Sequence, residues 1–280
     1  MIFPFSQTSL QDFADCRRRF QLRYLMHIAW PAPQAEPLLE NERHIQQGAA
    51  FHRLLQQRFS GLPIERLETM SMPAPIDRWW NAHRHTFDAL LGTSNAAPPA
   101  MHPETVLMHT LGKQILLARY DLLVVWPADR ILILDWKTSR RPPRRTTMAQ
   151  RIQTRLYPFL MALAGAHLNA GTPWRPEQIE MVYWFAEAPA EPMRFPYSTE
   201  AMHADQAFFT TLLAEAAALP PDDFPPPAAD ERACRYCVYR SLCDRGIQAG
   251  DFWLQDDPES PPDDAPAWQM DFDAIEPVAF

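Results

Sequence analysis

The segment from Thr105 to Thr138 constrains this chain more than any other. It reads as three strands in a row: Val106 to Thr110, a Gly112-Lys113 turn, Ile115 to Trp126, a turn at Pro127-Ala128-Asp129-Arg130, then Ile131 to Trp136. Strands joined by such short turns pair antiparallel, so the segment predicts a β-meander. Asp121 and Asp135 each lie seven residues from Ala128, and a hairpin centred there sets them nearly opposite one another. Lys137, two residues beyond Asp135, projects to the same face. Two carboxylates opposed on an otherwise Leu/Ile/Val-rich hairpin repel strongly unless a cation lies between them, and Mg2+ or Mn2+ suits an all-oxygen site of this kind. A D-x-K tripeptide alone is common, and strand-end acids beside a solvated lysine would be its plainer reading. Its weight comes from the apolar run Ile131-Leu-Ile-Leu134 that leads straight into Asp135-Trp136-Lys137.

Around the meander the patterns are mostly helical. Residues 7 to 26 place Leu10, Phe13, Cys16, Phe20 and Tyr24 at helical spacing, with Ser9 as the expected N-cap and Asp12 three residues on. A second helix is expected from about Asn41 to Phe59, with His52 near its middle. Trp79, Trp80, His83 and Phe87 suggest a third, followed by a Pro-containing loop through Pro103. Thr146 to His167 reads as helix, Ile179 to Phe185 as strand, and Ala201 to Leu219 as a helix stopped by Pro220. The expected organisation is a core over residues 1–219, a Pro-rich linker and cysteine segment over 220–250 that closes onto Cys16, and an acidic tail over 251–280, disordered by composition.

The net charge of −8 is unevenly placed. Nine of the 34 acids lie in residues 251–280, which hold no Lys or Arg, so the rest of the chain is close to neutral, with 25 acids against 26 bases. Lys137, Arg140, Arg141, Arg144, Arg145, Arg151 and Arg155 form a basic stretch with no acid among them, suited to contacting phosphates. The tail adds Phe252, Trp253, Trp268, Phe272 and Phe280 to its acids, which makes docking on a partner or on the protein's own basic groove conceivable. Arg119, Asp121 and Arg130 interrupt the longest apolar candidate for a membrane helix, and the first residues lack the features of a signal peptide, so a cytoplasmic location with no membrane partner is expected.

Of the four cysteines, Cys234, Cys237 and Cys243 are spaced C-x2-C-x5-C, three thiolates in a short loop, and Cys16 is left for a fourth position. Disulfides are disfavoured in a reducing compartment, so a metal centre is the better reading, with zinc and iron-sulfur both open on spacing alone.

Taken together, Asp121 and Asp135-Trp136-Lys137 resemble the signature of the PD-(D/E)XK nucleases, in the RecB-like form whose second acid is Asp. Gly48-Ala-Ala-Phe51-His52 resembles that branch's Gly-x-x-x-His element, and Gln153-Thr-Arg-Leu-Tyr157 resembles its Gln-x-x-x-Tyr motif. The resemblance implies a restriction-endonuclease-like α/β fold, a mixed sheet with a central β-meander flanked by helices, plus a C-terminal iron-sulfur segment. It implies a metal held by His52, Asp121, Asp135 and the Trp136 backbone carbonyl, with Lys137 acting on the attacking water. Gln153 and Tyr157, on one helical face, would hold a nucleotide or the catalytic lysine in place, and together with Arg140, Arg141, Arg144 and Arg145 would position DNA. An N-terminal Cys with a C-terminal C-x2-C-x5-C is similar to the [4Fe-4S] arrangement of AddB-type and CRISPR-adaptation nucleases, which implies that cluster on Cys16, Cys234, Cys237 and Cys243 rather than zinc. Asp-Cys-Arg stands here where that group usually has Cys-Pro. Glu104 is a weaker candidate for an accessory acid, an ordinary exposed Glu being the plainer reading. The expected activity is metal-dependent hydrolysis of DNA, at ends or single strands, in repair, spacer processing or phage defence. The competing expectation is a catalytically silent DNA-binding subunit. No G-x-x-x-x-G-K-[ST] motif is present, so any unwinding would come from a helicase or other protein partner.

Overall fold

The computed structural model describes residues 4–28, 36–69, 72–92, 98–219, 224, 225, 234, 237 and 239–245. The acidic tail and most of the Pro-rich linker lie outside the described residues. In chain order the elements are β1 (Pro4–Phe5), α1 (Gln7–Asp15), α2 (Arg17–Phe20), α3 (Glu36–Phe59), α4 (Ile64–Glu68), α5 (Ile76–Leu91), β2 (Ala100–Leu111), β3 (Gln114–Trp126), β4 (Arg130–Lys137), α6 (Arg145–Gln150), α7 (Ile152–Ala164), β5 (Ile179–Phe185), β6 (Met193–Pro196) and α8 (Thr199–Ala218). One π turn, Gln21–Leu25, continues α2.

The fold is mixed α/β. The meander β2-β3-β4 is antiparallel, β4 pairs β5 in parallel, and β6 closes that edge antiparallel. A parallel neighbour needs a crossover connection, and α6 and α7 supply it. The strand β1 lies parallel to the start of β3, on the side that β4 occupies farther along. Each face of the sheet carries its own core. Ile131 and Ile133 of β4 pack with Ile152, Leu156, Phe159 and Phe209 from α7 and α8. Leu132, Leu134 and Trp136 pack with Phe51, Leu55, Trp79 and Phe87 from α3 and α5. This two-sided burial is why β4 reads as an unbroken apolar run. Among the described residues no helix is long and apolar enough to cross a membrane.

Several boundaries differ from the sequence reading, among them the helix expected over Thr146 to His167, which is two, α6 and α7, parted at Arg151. Ser6, not Ser9, caps α1: its hydroxyl accepts from the Ser9 amide while the Ser9 hydroxyl takes the Ser6 amide, a reciprocal box one turn earlier than expected. Cys16, in extended conformation, breaks the first helix in two. The expected loop through Pro103 is the start of β2. Proline is tolerated there because among the described residues no strand pairs the outer edge of β2.

The aromatic core between α3, α5 and the sheet encloses His83, whose ring lies 4.8 Å from Trp136 and 5.3 Å from Trp184. Its Nδ1 accepts from Arg58 at 2.9 Å. Burial, reinforced by the Arg58 charge, pushes its pKa down to about 3. The fold therefore keeps this ring neutral through a range where the unfolded chain charges it below about 6.5, and stability falls as pH drops through that interval. The full difference is on the order of 5 kcal/mol. A His83→Gln variant, which keeps an acceptor for Arg58, is expected to lose part of the acid-side decline in urea midpoint between pH 7 and pH 4.

Candidate active site

The site grows from the point where β3 and β4 part. Their ladder ends at Leu122 opposite Leu134, and the same register sets Asp121 opposite Asp135. Beyond that pair β4 stays with β5 as far as Lys137 opposite Phe185, while β3 continues along β2 and β1. Trp136 thereby loses its β3 partner, and its amide donates instead to Asp121 Oδ2 at 2.9 Å. Because a strand residue turns its N–H and C=O to the same edge, the Trp136 carbonyl also faces this fork.

The alternation of β3 slips at the same place. Leu116, Ala118 and Tyr120 pack on the α7 side, as do Leu123 and Val125, whereas Leu122, Val124 and Trp126 pack on the α3 side. Asp121 sits at this fault. On β2 the matching position is Glu104, in the left-handed region at φ 50°, with Pro103 opposite Leu122 and Thr105 opposite Tyr120.

One face of α3 docks on the end of β4. His44 Nε2 donates to the Thr138 carbonyl at 2.9 Å, and a Cβ on Gly48 would come within 2.8 Å of Thr138 Oγ1. His52 Nδ1 lies 3.5 Å from Asp121 Oδ2. These three residues are spaced by four, one above the other on the helix. Burial works against a charged His52, but the Asp121 carboxylate, with help from Asp135, outweighs it and raises the ring's pKa. Burial likewise opposes ionisation of Asp121, and His52 with the Trp136 amide overcomes it, so Asp121 is held below the usual range.

Asp135 is 4% exposed and Lys137 9%. Gln153, the second residue of α7, bridges them: its amide nitrogen donates to Asp135 Oδ1 at 2.5 Å and its oxygen accepts from Lys137 Nζ at 2.9 Å. Asp135 Oδ2 has no hydrogen-bond partner and faces Lys137 Nζ at 3.1 Å. Burial, the Lys137 charge opposing it and Asp121 adding to it, leaves Asp135 with a pKa of about 6.

The other expected positions divide. Tyr157 is buried, its ring 4.8 Å from that of Tyr120, whose hydroxyl donates to the Tyr157 carbonyl. Arg140, Arg141 and Arg144 are exposed beyond Lys137. The basic stretch does not continue as one track. Arg145 donates to the Arg194 carbonyl and lies over Phe195, and Arg155 is held by Asp205 at 2.6 Å over Phe208. Glu104 is closer to the chemistry than its plainer reading allowed. Its carboxylate takes Arg119 Nε at 2.6 Å, and burial, then Asp121, raises its pKa. Counting back from the Gly112-Lys113 turn pairs it with Asp121, the same arithmetic that pairs Asp121 with Asp135. His44 carried no such signal, because its partner is a backbone carbonyl.

Far along the chain, all four cysteines line one cavity with Arg19, Arg240 and Arg245. Each is a free thiol. Cys16 Sγ accepts from the Arg19 amide and Cys234 Sγ from Arg245 Nη1. Burial raises the thiol pKa of Cys16, Cys237 and Cys243. Among the described residues no three His, Cys, Asp or Glu side chains are grouped tightly enough to enclose a metal ion. At the fork Lys137 and Gln153 occupy Asp135, and His52 and Trp136 occupy Asp121.

The close approach of Gly48 gives a direct test of how α3 is seated. Gly48→Ala is expected to cost about 1–3 kcal/mol by overpacking. In a double-mutant cycle, Thr138→Ala should recover much of that loss, since it removes the atom the new methyl meets.

Among solved structures, the protein titled SSO0001 aligns over 88% of this chain and 87% of its own, at 15% identity and a TM-score of 0.41. A protein from Eubacterium rectale, titled as a candidate exonuclease, aligns over 83% of this chain and 87% of its own, at 8% identity and a TM-score of 0.49. No curated protein matches the chain. The family model of the PD-(D/E)XK nuclease superfamily matches residues 4–244, a span that contains the fork, the α3 face, Gln153 and all four cysteines, and the chain belongs to that superfamily.

Proposed function

We propose that the protein is a metal-dependent DNA nuclease of the RecB-like branch that hydrolyses phosphodiester bonds at DNA ends or in single strands. The observation that carries this reading is the pair of opposed carboxylates at the fork, Asp135 buried and Asp121 half-buried, where Asp135 Oδ2 has no hydrogen-bond partner and only the Lys137 ammonium beside it. Opposed carboxylates repel, one ammonium balances only one of them, and the oxygen-rich donor set fits Mg2+ or Mn2+. His52, Asp121, Asp135 and the Trp136 carbonyl are the residues that would hold the ion. When bound, it would lower the pKa of water and offset charge developing on the phosphate. Gln153 holds Lys137 beside Asp135, where the ammonium can orient the attacking water and stabilise the transition state. Asp121 keeps the His52 ring in place through the contact of its Oδ2 with Nδ1. Arg140, Arg141 and Arg144, exposed just beyond Lys137, would contact phosphates outside the fork.

The second part of the proposal is a [4Fe-4S] cluster on Cys16, Cys234, Cys237 and Cys243. Four free thiols around one cavity supply the donor set, and the surrounding arginines favour the thiolates it needs. Its role would be to fasten the first helices to the C-terminal segment.

Anaerobically purified protein is expected to cut end-labelled DNA with Mg2+ or Mn2+ and not with EDTA. Asp135→Ala and Lys137→Ala should each lower the rate at least about a hundredfold with the fold intact. Cutting that survives in Asp135→Ala overturns the assignment, and DNA binding without any cutting points to the silent binding subunit. The purified chain should also carry iron and acid-labile sulfide. Cys237→Ser should lose both and lower Tm, whereas retention of zinc in place of iron would sink the cluster.

A further inference from the structure

The outer face of the β2-β3 hairpin runs directly out of the fork. From Asp121 backwards along β3 it presents Arg119, then Leu117; on β2 the positions opposite these are Val106 and Met108. Val106 is 43% exposed and Met108 57%, two of five large apolar side chains so exposed among the described residues. Standing two apart on one strand, they share a face and form a small apolar patch beside the buried Leu117. At about 3.4 Å per residue, the Arg119 level lies about 7 Å from Asp121 and the Met108 level about 14 Å. The hairpin's outer face and its turn carry Arg119 and Lys113, with Glu104 the acid that holds Arg119.

We infer that this face is a track for single-stranded DNA leading to the fork, a reading that rests on the proposed nuclease activity and names its substrate. Arg119, oriented by Glu104, meets a phosphate next to the one at the fork. Val106 and Met108 meet the faces of the following bases, the thioether against their π systems. A duplex hides its base faces in the stack and can offer this surface only phosphates, so apolar side chains beside a phosphate-binding arginine select an unpaired strand. Arg119 is a positioning residue here: it sets the strand, and the fork does the chemistry.

The test is binding of a fluorescent oligonucleotide in EDTA, where no cutting occurs, with a normal strand and with one carrying abasic sites. Met108→Ala is expected to weaken binding of the normal strand about threefold to tenfold and to leave the abasic strand unchanged. Arg119→Gln, which keeps a donor for Glu104, should weaken both strands and reduce the log–log salt slope by about 0.7, the loss of one phosphate contact. Equal losses on both strands for Met108→Ala, or wild-type binding by both variants, overturns the track. If the wild type cuts only duplex DNA and does not bind the single strand, the track fails and the nuclease stands. If it binds the strand with these mutant effects yet cuts nothing, the track stands and the nuclease fails.

Discussion

The hydrogen bond from the Trp136 amide to Asp121 is the constraint around which the site is arranged. It forms because β3 leaves β4 while β4 remains paired to β5, and an amide at the end of a broken ladder must find another acceptor. A carboxylate meets that need, and it stays ionised because the amide and His52 outweigh its burial. Burial, with this fixed negative charge adding to it, pushes the neighbouring Asp135 the other way, toward its neutral form. The two acids of the fork are therefore not equivalent, although they are mirror positions of one hairpin. Their difference comes from the partners that reach Asp121, the His52 ring and the Trp136 amide, and from the deeper burial of Asp135.

Charge of this kind needs support from both layers, and each face of the sheet contributes one helix. From the α3 side come His44, Gly48 and His52, which seat the helix against Thr138 and Asp121. From the α7 side comes Gln153, which ties Asp135 to Lys137. The fault in alternation at Asp121 is what lets residues from both layers reach the same point. A strand with regular alternation would direct Asp121 wholly toward one layer.

The meander and the opposition of its two acids were legible from the chain, because turn position sets register and register needs only counting. For Gln153, helical spacing and resemblance left two roles open, a nucleotide or the lysine, and its contact is with the lysine. Depth and distant partners were not legible. Tyr157 shares a helical face with Gln153, but spacing does not say that the face descends into the core one turn later. Arg155 belongs to a run of bases, yet an acid fifty residues on claims it. Ser9 and Ser6 are both good caps, and the choice between them depends on which hydroxyl reaches back to the other's amide. The left-handed Glu104 lies in a stretch whose proline pointed to a loop, and no periodicity announces a strand that changes face midway.

The cavity around the cysteines carries a consequence for the order in which the molecule takes shape. One wall comes from Cys16 and Arg19, near the start of the chain, and the other from Cys234, Cys237 and Cys243, more than two hundred residues later. Tyr239 also donates to the Ile28 carbonyl across the same gap. During synthesis the meander can pair as soon as it emerges, since its contacts are local. The helices around Cys16 meet these neighbours only after more than two hundred further residues have been made, at a time set by translation rather than by diffusion. Until then Cys16 faces whatever else is present, and this wall of the cavity waits for its counterpart.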